Sequence, residues 1–250
     1  MRRAGIRSGG LTLVELLVAL ALTAFLVLGL VQMVSAATAA DALQRNQAQI
    51  LDRARFALGT LGRAVREAGY RPQPWSDVYE IDMLTDDTLD GASSRGDRLA
   101  VRAWSDRNCF DNRNPDTDGD GRPLFYLRES VFEPLAAGGL AHSCRYGPDA
   151  ASLTTQIRRQ GLVEGVESLQ VLFGEDSDAD GNIDAWVPAG HWADDHRVLG
   201  VRVGLLLAGE DAVTGAGVVD RTILGEPWRM AGDGRLRAVF ESAFAIRGNT

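Results

Sequence analysis

The 250-residue sequence contains no lysine, only three histidines and two cysteines, and no surplus of positive charge. Its 26 basic residues, all arginine, stand against 34 acidic ones, a formal net charge of −8. A balance of this sign argues against nucleic-acid binding through a basic surface. The missing lysine reads as a composition bias and fixes no mechanism. His142, His191 and His196 lack metalloprotease spacing, and no serine sits in a G-x-S-x-G turn, so the chain is not read as an enzyme. His191 and His196 flank Trp192-Ala193-Asp194-Asp195, which reads as a solvated loop, and the five tryptophans read as core or rim aromatics. Proline is absent before Pro72, so nothing in the first 71 residues forbids one continuous helix.

Against those absences stands one long apolar run. Leu11 to Val31 would span about 31 Å as a helix, enough to cross a bilayer core. Glu15 is the single ionisable residue within it. A carboxylate in a spanning helix costs roughly 2.5 to 3.5 kcal/mol unless it finds a partner. Cleavage after Gly10 would make one, because a free α-amine on Leu11 lies four residues from Glu15. Arg2, Arg3 and Arg7 precede the run and no basic residue follows before Arg45, so the leader stays in the cytoplasm and the body goes outward. An ordinary secretory signal is the competing reading, with Ala37-Thr38-Ala39 as its cleavage pattern; the length of the run and Glu15 weigh against it. Without residues 1–10 the chain carries 23 basic and 34 acidic residues, a net charge of −11.

After Val31 the pattern turns amphipathic. Leu43, Ile50, Ala54, Leu58, Leu61 and Val65 recur at helical spacings and predict a helix continuing to about Ala68, where Gly69 and Pro72 stop it. Strands are expected at 99–104, 124–130, 166–173, 198–207 and 236–246, paired antiparallel because no second long helix supplies crossovers. Residues 74–97 and 208–234 read as loops with at most a short strand or helical turn. Cys109 and Cys144 face an oxidising compartment, where an even count favours a disulfide; two separate thiols are the alternative.

Two acidic loops carry metal-ligand spacing. Asp176, Asp178, Asp180 and Asp184 occupy positions 1, 3, 5 and 9 around Gly181, with the carbonyl of Asn182 at position 7, a set of hard oxygens suited to Ca2+. Val187 replaces the glutamate of a complete EF-hand, and an acidic turn between strands at 166–173 and 183–187 is the alternative. Asp116, Asp118 and Asp120 give a weaker first half of the same pattern, with Asp111 or Glu129 as completing ligands, or else a tight turn in a disulfide-tethered excursion.

The N-terminal segment, with its basic leader, Gly10, an apolar Leu11 and Glu15 as the fifth residue after the cut, resembles the signal of type IV prepilins and pseudopilins. Leu11 stands where phenylalanine is most usual, and Gln32 where major pilins often carry proline, which fits a minor subunit. Val166 to Gly174 running into the acidic loop, Val198 to Leu206, and Arg237-Ala238-Val239-Phe240 with Ala245 to Asn249 look like PilW-type minor pilins. The resemblance implies an α+β, pilin-like fold: a leader (1–10), a transmembrane and filament-core half-helix (11–31), an amphipathic half (32–68) packed on antiparallel sheet, and a β-rich periplasmic body (69–250). It also implies cleavage and N-methylation at Leu11 by prepilin peptidase, and a place at the inner membrane and then at the pilus tip. Other minor pilins, the major pilin and the inner-membrane assembly platform are the implied partners, in filaments that serve adhesion and twitching motility. A J-type minor pseudopilin of type II secretion and a calcium-dependent tip-binding module are the alternatives.

Overall fold

The computed structural model describes residues 12–91, 96–213, 215 and 217–247. The chain divides between Arg45 and Asn46 into two compact units. Helix α1 (Leu13–Glu67) runs through 55 residues, the uninterrupted span that the absence of proline allows. Residues 12–41 are exposed all round, and an 18-residue window of the helix reaches a mean hydropathy of 2.6 with none of it buried. A helix apolar on every face in water is a helix for lipid or for other helices. The Ala37-Thr38-Ala39 pattern lies within α1.

In the second unit α1 shows one stripe. Asn46, Ile50, Ala54, Ala57, Leu61 and Val65 are buried at steps of three and four, the spacing of one helix face. The helix stops where the sequence predicts, one residue short of Ala68. Gly69 takes a left-handed φ of 73°, and its N–H donates to the Arg102 carbonyl at 2.9 Å.

Two four-stranded antiparallel sheets share the core with that stripe. The first is a meander in the order β1-β2-β3-β4: β1 (Leu99–Ser105), β2 (Tyr126–Pro134), β3 (Gly139–Gly147) and β4 (Thr154–Glu164). The second comprises β5 (Val166–Glu175), β6 (Ala185–Val187), β7 (Val198–Ala212) and β10 (Arg235–Ala245), in the order β10-β7-β5-β6. Leu99, Val101, Phe132 and Leu140 of the first sheet meet Leu169, Val171, Phe173, Val203 and Leu205 of the second beneath Ile50 and Leu61. Between β7 and β10 the chain forms a hairpin of β8 (Val218–Ile223) and β9 (Glu226–Ala231), so the loop expected over 208–234 is corrected to strand. A Cβ on Gly204 would lie 2.5 Å from Ile223 Cγ2, which shows how closely the hairpin tip covers β7. Covered on both faces, β7 is buried continuously from Val203 to Gly209.

A short seam joins the two sheets. Gly96 bridges Leu169 in parallel, the Asp97 N–H donates to the Leu169 carbonyl at 2.7 Å, and Asp97 Oδ2 accepts from the Val171 N–H at 2.6 Å. Burial, first among several influences, pushes the Asp97 carboxyl up to about 6. The first sheet also buries an ionic group. Glu129 is 0% exposed and is held by Arg102 and Arg145, the Arg102 Nε bond measuring 2.8 Å. Arg237 plays a similar part in the second sheet, paired with Glu167 and Asp233.

Candidate functional site

Gly10 and Leu11, the expected processing site, lie outside the described residues. Glu15 opens α1, and its partner is local. Its Oε2 accepts from both the N–H and the Oγ1 of Thr12, each at 3.2 Å, while the Glu15 N–H donates back to Thr12 Oγ1 at 3.2 Å. This is a reciprocal capping box, and the T-x-x-E spacing that announces it was legible in the sequence beside the prepilin signal. The carboxylate therefore satisfies the Thr12 amide and the Thr12 hydroxyl satisfies the Glu15 amide, both at the first turn of the helix.

The second site follows β5. Asp176 is buried, and its two oxygens accept from the Asp180 N–H at 3.2 Å and the Gly181 N–H at 2.8 Å. Gly181 has a φ of 87°, which folds the loop back over Asp176. Asp178 Oδ1 accepts from the Asp180 N–H at 3.1 Å, and Asp180 Oδ1 from the Asn182 N–H at 2.8 Å. Asp184 Oδ2 accepts from both the N–H and the Oγ of Ser177. Ile183 anchors the loop to the sheet: a Cβ on Gly174 would lie 2.7 Å from its Cδ1. The Arg197 guanidinium donates to the Ser177 carbonyl at 2.6 Å, and the Asp176 N–H to the Arg197 carbonyl at 3.0 Å.

That folding brings a ligand oxygen from each of Asp176, Asp178 and Asp184 within 4.8 Å of the others. Asp180 stands outside the group, its Oδ1 engaged by the Asn182 N–H. The crowding has an electrostatic signature. The Asp180 N–H pulls Asp178 down, but desolvation and the Asp180, Asp184 and Asp176 carboxylates prevail and raise it. Asp184 is lowered by its Ser177 hydrogen bonds. Three hard oxygen donors in one small loop are a donor set that fits Ca2+.

The first acidic loop is organised differently. Asp116 Oδ2 accepts from the Tyr126 hydroxyl at 2.6 Å, and Asp118 Oδ1 accepts from the N–H groups of Asp120 and Arg122, each at 2.9 Å. Among the described residues, Asp116, Asp118 and Asp120 do not form a group within ion-sharing distance. Glu129 is not free to complete them, because Arg102 and Arg145 hold it in the core. Asp111 faces Arg107 at 3.6 Å. Cys109 and Cys144 form a disulfide with Cα atoms 5.9 Å apart, tying this excursion to β3. The Cys109 N–H donates to Gln156 Oε1 of β4 at 2.9 Å.

A third cluster escaped the sequence reading. Asp82, Asp195 and His196 place one ligand atom each within 4.8 Å of one another, beside a cleft of about 930 Å³ lined by Asp82, Asp86, Asp194 and Asp195. Burial, before any neighbouring charge, raises Asp195. Asp82 is far upstream in the chain, so no local spacing could have announced the group. His142 instead stacks on Phe132 at 4.8 Å between centroids, and burial followed by Arg128 lowers it.

Residues 143–248 match the family described as PilW, Type IV Pilus-assembly protein W. No curated protein matches the chain. Among solved structures, a type IV-like pilin from Thermus thermophilus aligns with a TM-score of 0.53 at 17% identity, covering 80% of this chain and 97% of that one. That likeness is one of fold: a long N-terminal helix on antiparallel sheets. Residues 143–248 thus resemble the PilW family, and the chain as a whole has a type IV pilin-like fold, with a capped apolar helix leading into antiparallel sheets.

Proposed function

We propose that the chain is a minor pilin that helps to start type IV pilus assembly, inserted by its N-terminal helix in the inner membrane with the body in the periplasm, and carried to the pilus tip. Prepilin peptidase cleaves between Gly10 and Leu11, and other minor pilins, the major pilin and the assembly platform are its partners. The observation that carries this reading is the wholly apolar, wholly exposed start of α1 with its one carboxylate at the first turn. Thr12 holds that carboxylate in the single chain, and the new amine of Leu11, on the same chain or a neighbour, takes it over in the filament. N-terminal mass spectrometry should find a mature, N-methylated Leu11, and Gly10→Val should block processing. Glu15→Ala should leave membrane insertion intact or improved, because a charge leaves the bilayer, yet impair incorporation into pili. Normal piliation by a strain carrying only Glu15→Ala would refute the pairing.

The Asp176 to Asp184 loop supports a second element of the reading, a structural Ca2+ held by Asp176, Asp178 and Asp184 that orders the end of β5 outside the cell. Extracellular modules commonly bind in the range of about 0.1 to 1 mM, so the ion would set loop order and not sense cytosolic signals.

A further inference from the structure

We propose that the open edge of β10 takes up an extended strand of a different protein, which adds to the second sheet beside α1. A sheet edge presents a row of peptide N–H and C=O groups, and proteins cover it, shorten it or guard it with charges and bulges. The edge strands of the two four-stranded sheets are β1, β4, β6 and β10. β1 is covered by the bridges from Leu84 to Val101 and from Leu89 to Arg98, and β6 is three residues long. β4 is guarded: its register shifts at three places, Arg159 has a φ of 42°, and both Arg158 and Arg159 are exposed.

β10 has none of these guards. Its pairing with β7 runs without a shift from Arg237 to Ala245, nine residues or about 30 Å of edge. The stretch holds no proline. Glu241, its one carboxylate, turns to the hairpin and accepts from the Leu224 N–H at 2.8 Å. Among the described residues no backbone group pairs with the outer edge of this stretch. A long, flat, unguarded edge is a template for one more strand, held by main-chain hydrogen bonds.

The side chains beside the edge state what that strand must carry. Leu236, Ala238, Phe240 and Phe244 point towards the core and are only partly buried. α1 runs alongside them: a Cβ on Gly62 would lie 2.4 Å from the Phe244 ring, and the Arg66 guanidinium stands 5.6 Å from its centre. Leu58 and Leu51, about one and three turns before Gly62, share that helix face, and Leu51 is 38% exposed. The strip between β10 and α1 is thus apolar with a guanidinium at one end, and Arg66 has no carboxylate partner among the described residues. A fitting strand presents apolar residues at alternate positions and a carboxylate to Arg66. A second copy of β10 does not fit, because its residues on that side, Leu236, Ala238, Phe240, Ser242 and Phe244, include no acid. The occupant is therefore a strand of another protein.

The probe is a short fluorescent peptide alternating valine and threonine with a glutamate at each end, added to the full chain in detergent and followed by anisotropy. It should bind saturably. Ser242→Lys and Ala243→Lys, at a half-buried and an exposed position of the edge, should each weaken binding by roughly tenfold or more, and Thr155→Lys on the guarded β4 edge should leave it unchanged. Arg66→Gln, or lysines in place of the peptide's glutamates, should also weaken it. Hydrogen exchange gives a second readout: about half the amides of Arg237–Ala245 should exchange rapidly in the free chain, and the peptide should protect them. No binding of the peptide, binding unaffected by both edge variants, equal binding of the lysine peptide, or full protection of β10 in the free chain would each overturn the proposal. So would a dimer of the chain alone that Ser242→Lys dissolves, since the occupant would then be a second copy.

Discussion

Gly96→Ala probes the seam that holds the two sheets together. Gly96 has a φ of 101°, a conformation that costs an alanine about 1 to 3 kcal/mol. A Cβ there would lie 1.8 Å from the Leu169 carbonyl oxygen, so the backbones must part by roughly 1.5 Å to reach ordinary contact. That displacement breaks the Asp97 N–H to Leu169 bond, worth about 1 kcal/mol, and the charge-assisted Val171 N–H to Asp97 bond, worth about 1.5 to 3. Together these come to about 3.5 to 7 kcal/mol, a large part of the stability of a body this size. Thermal unfolding followed by circular dichroism should show Tm falling by roughly 10 to 20 °C. Gly59→Ala is the matched control. Among the described residues no atom lies within 4 Å of the Cβ it would add, so it should stabilise the exposed helix by up to about 1 kcal/mol. A Gly96→Ala melt within about 1 kcal/mol of the parent would refute the seam as a structural joint.

Three further outcomes follow from the site and the core. Replacing both Cys109 and Cys144 by alanine removes a link across 35 residues, and the chain-entropy relation gives a loss of about 4 kcal/mol, read as a lower Tm that reductant no longer changes. The folded Asp97 carboxyl titrates at about 6, above its unfolded value of 3.8, so its stabilising contribution is full below pH 3.8 and is lost as pH rises through 6. The loss is about 3 kcal/mol. It should appear as a pH-dependent stability difference between the parent and Asp97→Asn, and parallel curves would contradict it. Calcium at a hundredfold excess over Kd should stabilise the chain by about 2.7 kcal/mol; Asp178→Ala or Asp184→Ala should abolish most of the Tm shift while Asp118→Ala keeps it.

What the sequence revealed depended on how one-sided each element is. α1 was legible to within a residue at its C-terminal stop, because Gly69 is the glycine that a left-handed cap needs. β1, β5, β7 and β10 carry apolar runs because both sheets bury one face of them, and β7 both. β3 and β4 gave no such signal. β4 lies at a sheet edge and reads Thr154-Thr155-Gln156-Ile157-Arg158-Arg159, with Arg159 at a φ of 42° where the pairing shifts register. The β8–β9 hairpin was hidden by its turn. Leu224 and Gly225 take φ values of 50° and 94°, and leucine is not a residue that announces a left-handed turn position. At the acidic loop the aspartate spacing was plain, but which carboxylates converge was not. Asp180 has the right position and spends its oxygen on Asn182 instead.

The strand orders of the two sheets set a sequence of events. The first sheet joins strands in the order in which they are made, so each new strand finds its neighbour already present. In the second, β7 waits for β10 while the hairpin intervenes. Non-local pairing of this kind is slow to form, and unpaired strand edges are sticky while it is pending. A chain emerging during synthesis would thus expose the Leu205-Leu206-Leu207 edge of β7 for the interval before Arg235–Ala245 arrives. That interval is when a chaperone, a protease or a partner subunit would compete for the chain.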